Sequence, residues 1–300
     1  VISTENIYNV RIAFLLDSSL SMVYSSDVSP TRMVAAKKFI ISFMDRLRRD
    51  PALKGNYMFA LIPFSGSSIP LYTGFTAEID TFFEMLGHLD ERTVTSAGTS
   101  ISAALSGYGD LLKKFPVAHN DAVDFAILIS DGGKEDRIVK SRDTIAKIIS
   151  GLPKNAIINT IGVGSKEIDA ACALLVRRDT RASHKSASDV ESTIRRSCSS
   201  TAPAPLVRRG KNGAVEGYVR IDESNPQSPP LTSELDEGTL LFIAQADNRP
   251  GEYAFFEDSE TVATKMRAVI MKNRKVVDTI QHVRYEPAFV FFLAPALLFF

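Results

Sequence analysis

Runs of apolar residues alternate with segments of helical spacing along the first half of the chain. Val10 to Leu16 is continuously apolar after Arg11, as in a strand covered on both faces. Thr31 to Arg49 carries Met33, Ala36, Phe39, Ile40, Phe43, Met44 and Leu47 at the spacing of one helix face. Further strands are predicted at Tyr57–Phe64, Asp124–Ser130 and Ala156–Gly164, and helices at Ile79–Leu89, Ser100–Lys114 and Val139–Leu152. "SIPLYTG" reads as a shorter edge strand, because Pro70 has no N–H for a ladder. The alternation predicts an α/β, Rossmann-like, doubly wound and mainly parallel sheet flanked by helices. Such folds bind ligands beyond the carboxyl ends of their strands. Asp17 and Asp131 each stand just past such an end, so the two should meet at one sheet edge.

The rhythm breaks after Gly164. Residues 166–213 are basic (Arg177, Arg178, Arg181, Arg195, Arg196 among them), with short helices expected at Ile168–Arg177 and Asp189–Ser197. A helix from Glu234 to Ala246, a short strand in "GEYAFFE" and a long helix from Ser259 to about Ile280 follow. Pro287 to Phe300 has no charge and reads as the start of a transmembrane helix, although it is shorter than the roughly 20 residues a bilayer needs. A buried core helix is the alternative. Opening on Val1 rather than Met, and without a visible signal peptide, the chain reads as a processed fragment.

Composition changes this picture little. Three hundred residues allow one large domain or two small ones, and 45% hydrophobic with 23% charged residues is ordinary for a globular protein. The formal net charge is +0, so nucleic acid is not the expected partner. The two cysteines, Cys172 and Cys198, have no metal-ligand spacing. They either form one bridge in an oxidising compartment or stay as two buried thiols, and the sequence leaves both open.

Chemistry concentrates in an oxygen cluster. Asp17, Ser19 and Ser21 form D-x-S-x-S at the end of the first strand. Alone this is an ordinary strand end or helix cap. "SAGTSISAAL" adds Thr99 at a helix start, and "ILISDGG" adds Asp131 in a strand–Asp–Gly–Gly turn. Hydroxyls and carboxylates are hard donors, suited to Mg²⁺, Mn²⁺ or Ca²⁺ rather than Zn²⁺. Catalytic readings lack support: no G-x-S-x-G elbow surrounds Ser19 or Ser65, and "GVGSKE" is neither a phosphate loop nor a dinucleotide fingerprint. His88, His119, His184 and His282 are scattered. No enzyme is expected.

These residues resemble, position by position, the metal-ion-dependent adhesion site of the von Willebrand factor type A family. The resemblance implies that Ser19 and Ser21 bind the ion directly, Thr99 directly or through water, and Asp17 and Asp131 mostly through water. It also implies an open metal position that an Asp or Glu of a protein partner fills. "SELDEGTLLFIAQADNRPGEYAFFEDSETVATKMRAVI" and "HVRYEPAFVFFLAPALLFF" are similar to the end of this domain in bacterial membrane proteins of the Bat (aerotolerance) group. On that likeness the type A domain covers residues 8–280, with an insertion at about 166–213, and 287–300 begins the membrane helix. The implied function is a membrane-anchored, metal-dependent protein-interaction module in an envelope stress or maturation system, with related type A membrane proteins and a MoxR-type AAA+ ATPase as partners. A structural envelope component whose metal only stabilises the fold is the competing reading. Lys272, Arg274, Lys275 and Arg284 would favour a cytoplasmic side by the positive-inside rule, but most belong to a folded helix. The resemblance implies the periplasmic side of a bacterial inner membrane.

Overall fold

The computed structural model describes residues 2–28, 30–50, 55–66, 74–89, 98–116, 122–133, 140–168, 199–201, 203–210, 212–274 and 276–283. Its centre is β1 (Ile2–Asp17), which pairs in parallel with β2 (Gly55–Phe64) and with β3 (Val123–Ser130). Beyond β3 lie β4 (Ala156–Gly162) and β11 (Tyr253–Phe255), both parallel to their neighbours. Five parallel strands thus run β2-β1-β3-β4-β11. The parallel sheet expected from the alternation is what forms.

Every residue of β3 and β4 is buried, which is why these strands read as unbroken apolar runs. The period of two along β1 separates two cores. Val10, Ile12, Phe14 and Leu16 face a cluster built with α2 (Arg32–Arg49), α3 (Ile79–Gly87) and α7 (Ser259–Asn273). Ala13 and Leu15 face a second cluster, with α4 (Ile101–Lys114), α5 (Lys140–Ser150) and α6 (Glu237–Gln245). Phe14 meets Phe43 edge-on at 6.2 Å, a favoured aromatic geometry. Side-chain caps start the helices where the sequence places them. The Thr31 hydroxyl accepts from the Val34 N–H, and Ser100 accepts from the Ala103 N–H.

One expectation needs correcting. The long helix from Ser259 stops at Asn273, where Arg274 turns extended, and β12 (Val276–Val283) follows. "VVDTIQHV" is rich in β-branched residues, and the early half of β1 offers it an open edge. Ile2 to Tyr8 pairs antiparallel with β12, so β1 begins well before Val10. Between β4 and α6, the described residues form short antiparallel ladders. β5 (Lys166–Ile168) pairs with β6 (Ser199–Thr201), β7 (Ala204–Pro205) with β10 (Thr232–Ser233), and β8 (Val207–Arg209) with β9 (Val215–Tyr218). Ile168 ends β5, and the rest of the two expected helices, with Cys172 and Cys198, lies outside the described residues. So do the edge strand at 68–73 and the membrane segment at 287–300. Among the described residues no helix is long and apolar enough to cross a membrane.

Candidate metal centre

β1 and β3 end side by side, with Leu16 opposite Ile129. Asp17 therefore emerges beside Ser130 and Asp131, as the adjacent strand ends require. The Asp17 side chain is fully buried. Its Oδ1 accepts from the Ser19 N–H at 2.9 Å, and its Oδ2 accepts from the Ser130 hydroxyl at 2.5 Å. The first bond is an Asx-type turn, which throws Ser19 and Ser21 into the same corner. A one-turn helix, α1 (Leu20–Val23), starts there. The Ser19 and Ser21 hydroxyls lie 2.9 Å apart, and both residues are buried.

Thr99 and Asp131 join from the other side. Gly133 has φ +59°, and a Cβ there would lie 2.9 Å from Thr99 Cγ2. The Asp131 turn thus presses its backbone on Thr99, as the Asp–Gly–Gly sequence permits. Gly132, at φ +93°, lies closer still to Asp236, whose N–H donates to the Asp131 carbonyl at 2.6 Å. Asp131 Oδ1 accepts from the Gly133 N–H at 3.3 Å. All five residues singled out in the sequence are buried at this one sheet edge.

Four further residues complete the site. Ser130 bridges Asp17 and the Gly132 N–H. Arg32, with no exposed surface, donates through Nη1 to Asp131 Oδ2 at 2.7 Å. The same Nη1 reaches Ser233 Oγ at 2.9 Å, and Ser233 itself donates to Asp131 Oδ2 at 2.7 Å. Asp27 grips the other side of the guanidinium, at 3.0 Å from Nε and 2.7 Å from Nη2. A signal for Arg32 existed. It shares the helical stripe of Ala36, Phe39, Ile40, Phe43 and Leu47, and a cation on an apolar stripe must find buried partners. Asp27 and Ser233 sit in polar stretches that mark nothing.

Burial, then the neighbouring Asp131 carboxylate, pushes the Asp17 acid up to about 7. Burial also works against ionised Asp27, yet the Arg32 hydrogen bonds hold it below the usual carboxylate range. Three carboxylates face one guanidinium, so the cluster is short of positive charge. Among the described residues no group of three or more His, Cys, Asp or Glu side chains is placed to share a metal. The donors here are two carboxylates and three hydroxyls, a set that fits a hard divalent cation and no soft one.

Comparison with known proteins bears on the fold. Residues 12–134 match the family model described as von Willebrand factor type A domain. That segment includes Asp17, Ser19, Ser21, Thr99 and Asp131. No curated protein sequence matches the chain. Among solved structures, the conserved hypothetical protein BatB from Bacteroides thetaiotaomicron is similar at 20% identity and a TM-score of 0.61, over 88% of this chain and 98% of that one. An aerotolerance-related membrane protein from Bacteroides fragilis gives 18% identity and a TM-score of 0.60, over 88% of this chain and 100% of that one. The PilB minor pilin from Streptococcus sanguinis gives 12% identity and a TM-score of 0.53, over 90% of this chain and 63% of that one. At these identities the likeness is one of fold.

Proposed function

We propose that the chain is a metal-dependent protein-binding module, in which Asp17, Ser19, Ser21, Thr99 and Asp131 hold one Mg²⁺-class ion. The observation that carries this reading is the buried hydroxyl pair, Ser19 and Ser21 at 2.9 Å, set beside a carboxylate that burial and Asp131 leave short of positive charge. Ser19 and Ser21 would hold the ion directly, with Thr99 direct or through water. Asp17 and Asp131 orient the hydroxyls and turns through the hydrogen bonds they accept from Ser19, Ser130 and Gly133. A bound Mg²⁺ or Mn²⁺ supplies an electrophilic position for an Asp or Glu of a protein partner. With few charged ligands on the ion, that attraction is not quenched within the site. We read the site as one that binds a partner rather than one that turns over a substrate.

The fold shared with a Bacteroides fragilis membrane protein, together with the apolar 287–300, supports a membrane-anchored module, which we assign to a bacterial inner membrane, facing the periplasm. We place it with Bat-like type A proteins and a MoxR-type AAA+ ATPase. Cysteine chemistry reports on the compartment: β5 pairs Ile168 with Ser199, drawing together the ends of the segment that holds Cys172 and Cys198. A periplasmic domain yields a Cys172–Cys198 bridge when purified under thiol block, and two alkylated cysteines would count against the bridge and the compartment together.

Affinity capture of partners with and without EDTA tests the binding role. Loss of the partner on chelation is expected. Unchanged capture favours the competing role, a metal that only stabilises an envelope component.

A further inference from the structure

The short ladders between β4 and α6 are fastened to the metal centre at several points. Val207 donates its N–H to the Tyr24 carbonyl at 2.7 Å, Ser25 bridges Leu206, and the Ser26 hydroxyl donates to the Pro205 carbonyl at 2.6 Å. Residues 24–26 directly follow the helix that carries Ser21. At the far end of the ladders, Ser233 holds Asp131, and three residues on Asp236 holds the Asp131 backbone. The two loops that carry four of the five metal donors, 17–27 and 131–133, are therefore gripped by one layer, within residues 203–210 and 212–233.

Within that layer Leu206 is buried, donating to the Leu231 carbonyl at 2.9 Å and accepting from Val219 at 3.0 Å. Leu231 returns a bond to Val219 at 2.8 Å. The layer moves as a unit if it moves, because undoing one of these bonds strands buried polar groups. Arg32 is the hub between layer and centre. Its guanidinium joins Asp131, Ser233 and Asp27, and Asp27 in turn accepts from the Ser165 N–H at 2.8 Å, just past β4.

We propose that Arg32 couples the metal centre to this β layer: docking of residues 203–233 holds Asp131 and the 17–27 loop in their metal-binding pose, and metal binding secures the docked layer. The inference rests on the metal-site reading above. The sign of the coupling is positive, because the docked layer orients groups the ion needs and the ion in turn fixes them. By linkage the two effects are equal in free energy. Residues that orient metal ligands from behind commonly change affinity by about 10- to 100-fold.

The test uses Mn²⁺ as probe. Calorimetry on the wild type, Ser233→Ala and Arg32→Lys should show Mn²⁺ binding about tenfold weaker in both variants. Amide hydrogen exchange of the wild type should slow at Leu206, Val207, Val219 and Leu231 when Mn²⁺ is added, and slow less in Ser233→Ala. Ser233→Ala removes one buried hydroxyl and no charge, so it decides the matter even where Arg32→Lys does not fold. Arg11→Met, remote from the site, controls for stability loss alone and should leave the Mn²⁺ affinity unchanged. Variants that bind Mn²⁺ as the wild type does, or amides indifferent to Mn²⁺, would overturn the coupling while leaving the metal site standing. A wild type that binds no Mn²⁺ overturns the metal-site reading and this inference with it.

Discussion

Gly133 lies against Thr99 so closely that a Cβ on the glycine would stand 2.9 Å from Thr99 Cγ2 and 3.0 Å from its Cβ. This contact fixes the distance between the Asp131 turn and the threonine just before the Ser100 cap of α4. Gly133→Ala meets both that crowding and a left-handed φ of +59°, which costs a side-chain-bearing residue roughly 1 kcal/mol or more. The expected outcome is a loss of Mn²⁺ affinity of about tenfold or more, with a smaller loss of stability. Calorimetry beside thermal melts checks it, and unaltered affinity would contradict the packing role.

At the opposite end of the same strands, Arg11 and Asp124 form a buried ion pair at 2.6 Å across β1 and β3. The Arg11 guanidinium also lies over the Phe75 ring, 4.6 Å from its centroid. Arg11→Met leaves Asp124 as a buried charge with the Asn155 amide still donating to it. Breaking such a pair costs about 3–5 kcal/mol. Chemical denaturation should show that loss, and Mn²⁺ affinity of the folded variant should not change.

Asp258 caps α7. Its carboxylate accepts from the Thr261 N–H and from the Thr261 hydroxyl, each at 2.8 Å, and these bonds hold the acid below its usual range. A lowered folded-state pKa means the cap contributes above the unfolded value of 3.8 and is lost as pH falls through the lower, folded value. Asp258→Ala should cost about 1 kcal/mol at neutral pH. The gap between variant and wild type should close in acid below about pH 4, and a gap independent of pH would contradict the cap.

The sequence made the central sheet legible because its strands are buried on both faces, and a continuous apolar run has few other readings. The meeting of the five oxygen-bearing residues was legible for a related reason. Adjacent parallel strands must bring their carboxyl ends together, so Asp17 and Asp131 meet once the strand order is right. What escaped was decided by tertiary pairing. Val276–Val283 looks like more helix until Ile2–Tyr8 offers it an edge to pair with. Ser233 reaches Asp131 from 102 positions away, with no local pattern to announce it. Arg32 was readable in part: its place on an apolar stripe demands a buried partner, but not which one.

The central claim is that Ser19 and Ser21 hold a metal ion, and titration calorimetry of Mg²⁺ and Mn²⁺ into the wild type and the Ser19→Ala, Ser21→Ala double variant tests it most directly. The two hydroxyls bond each other at 2.9 Å, so removing both together leaves neither unpaired and should shift stability by no more than about 1 kcal/mol. The account predicts one site per chain in the wild type and no measurable binding in a double variant that melts nearly as the wild type does. Equal affinity in the two proteins would contradict it.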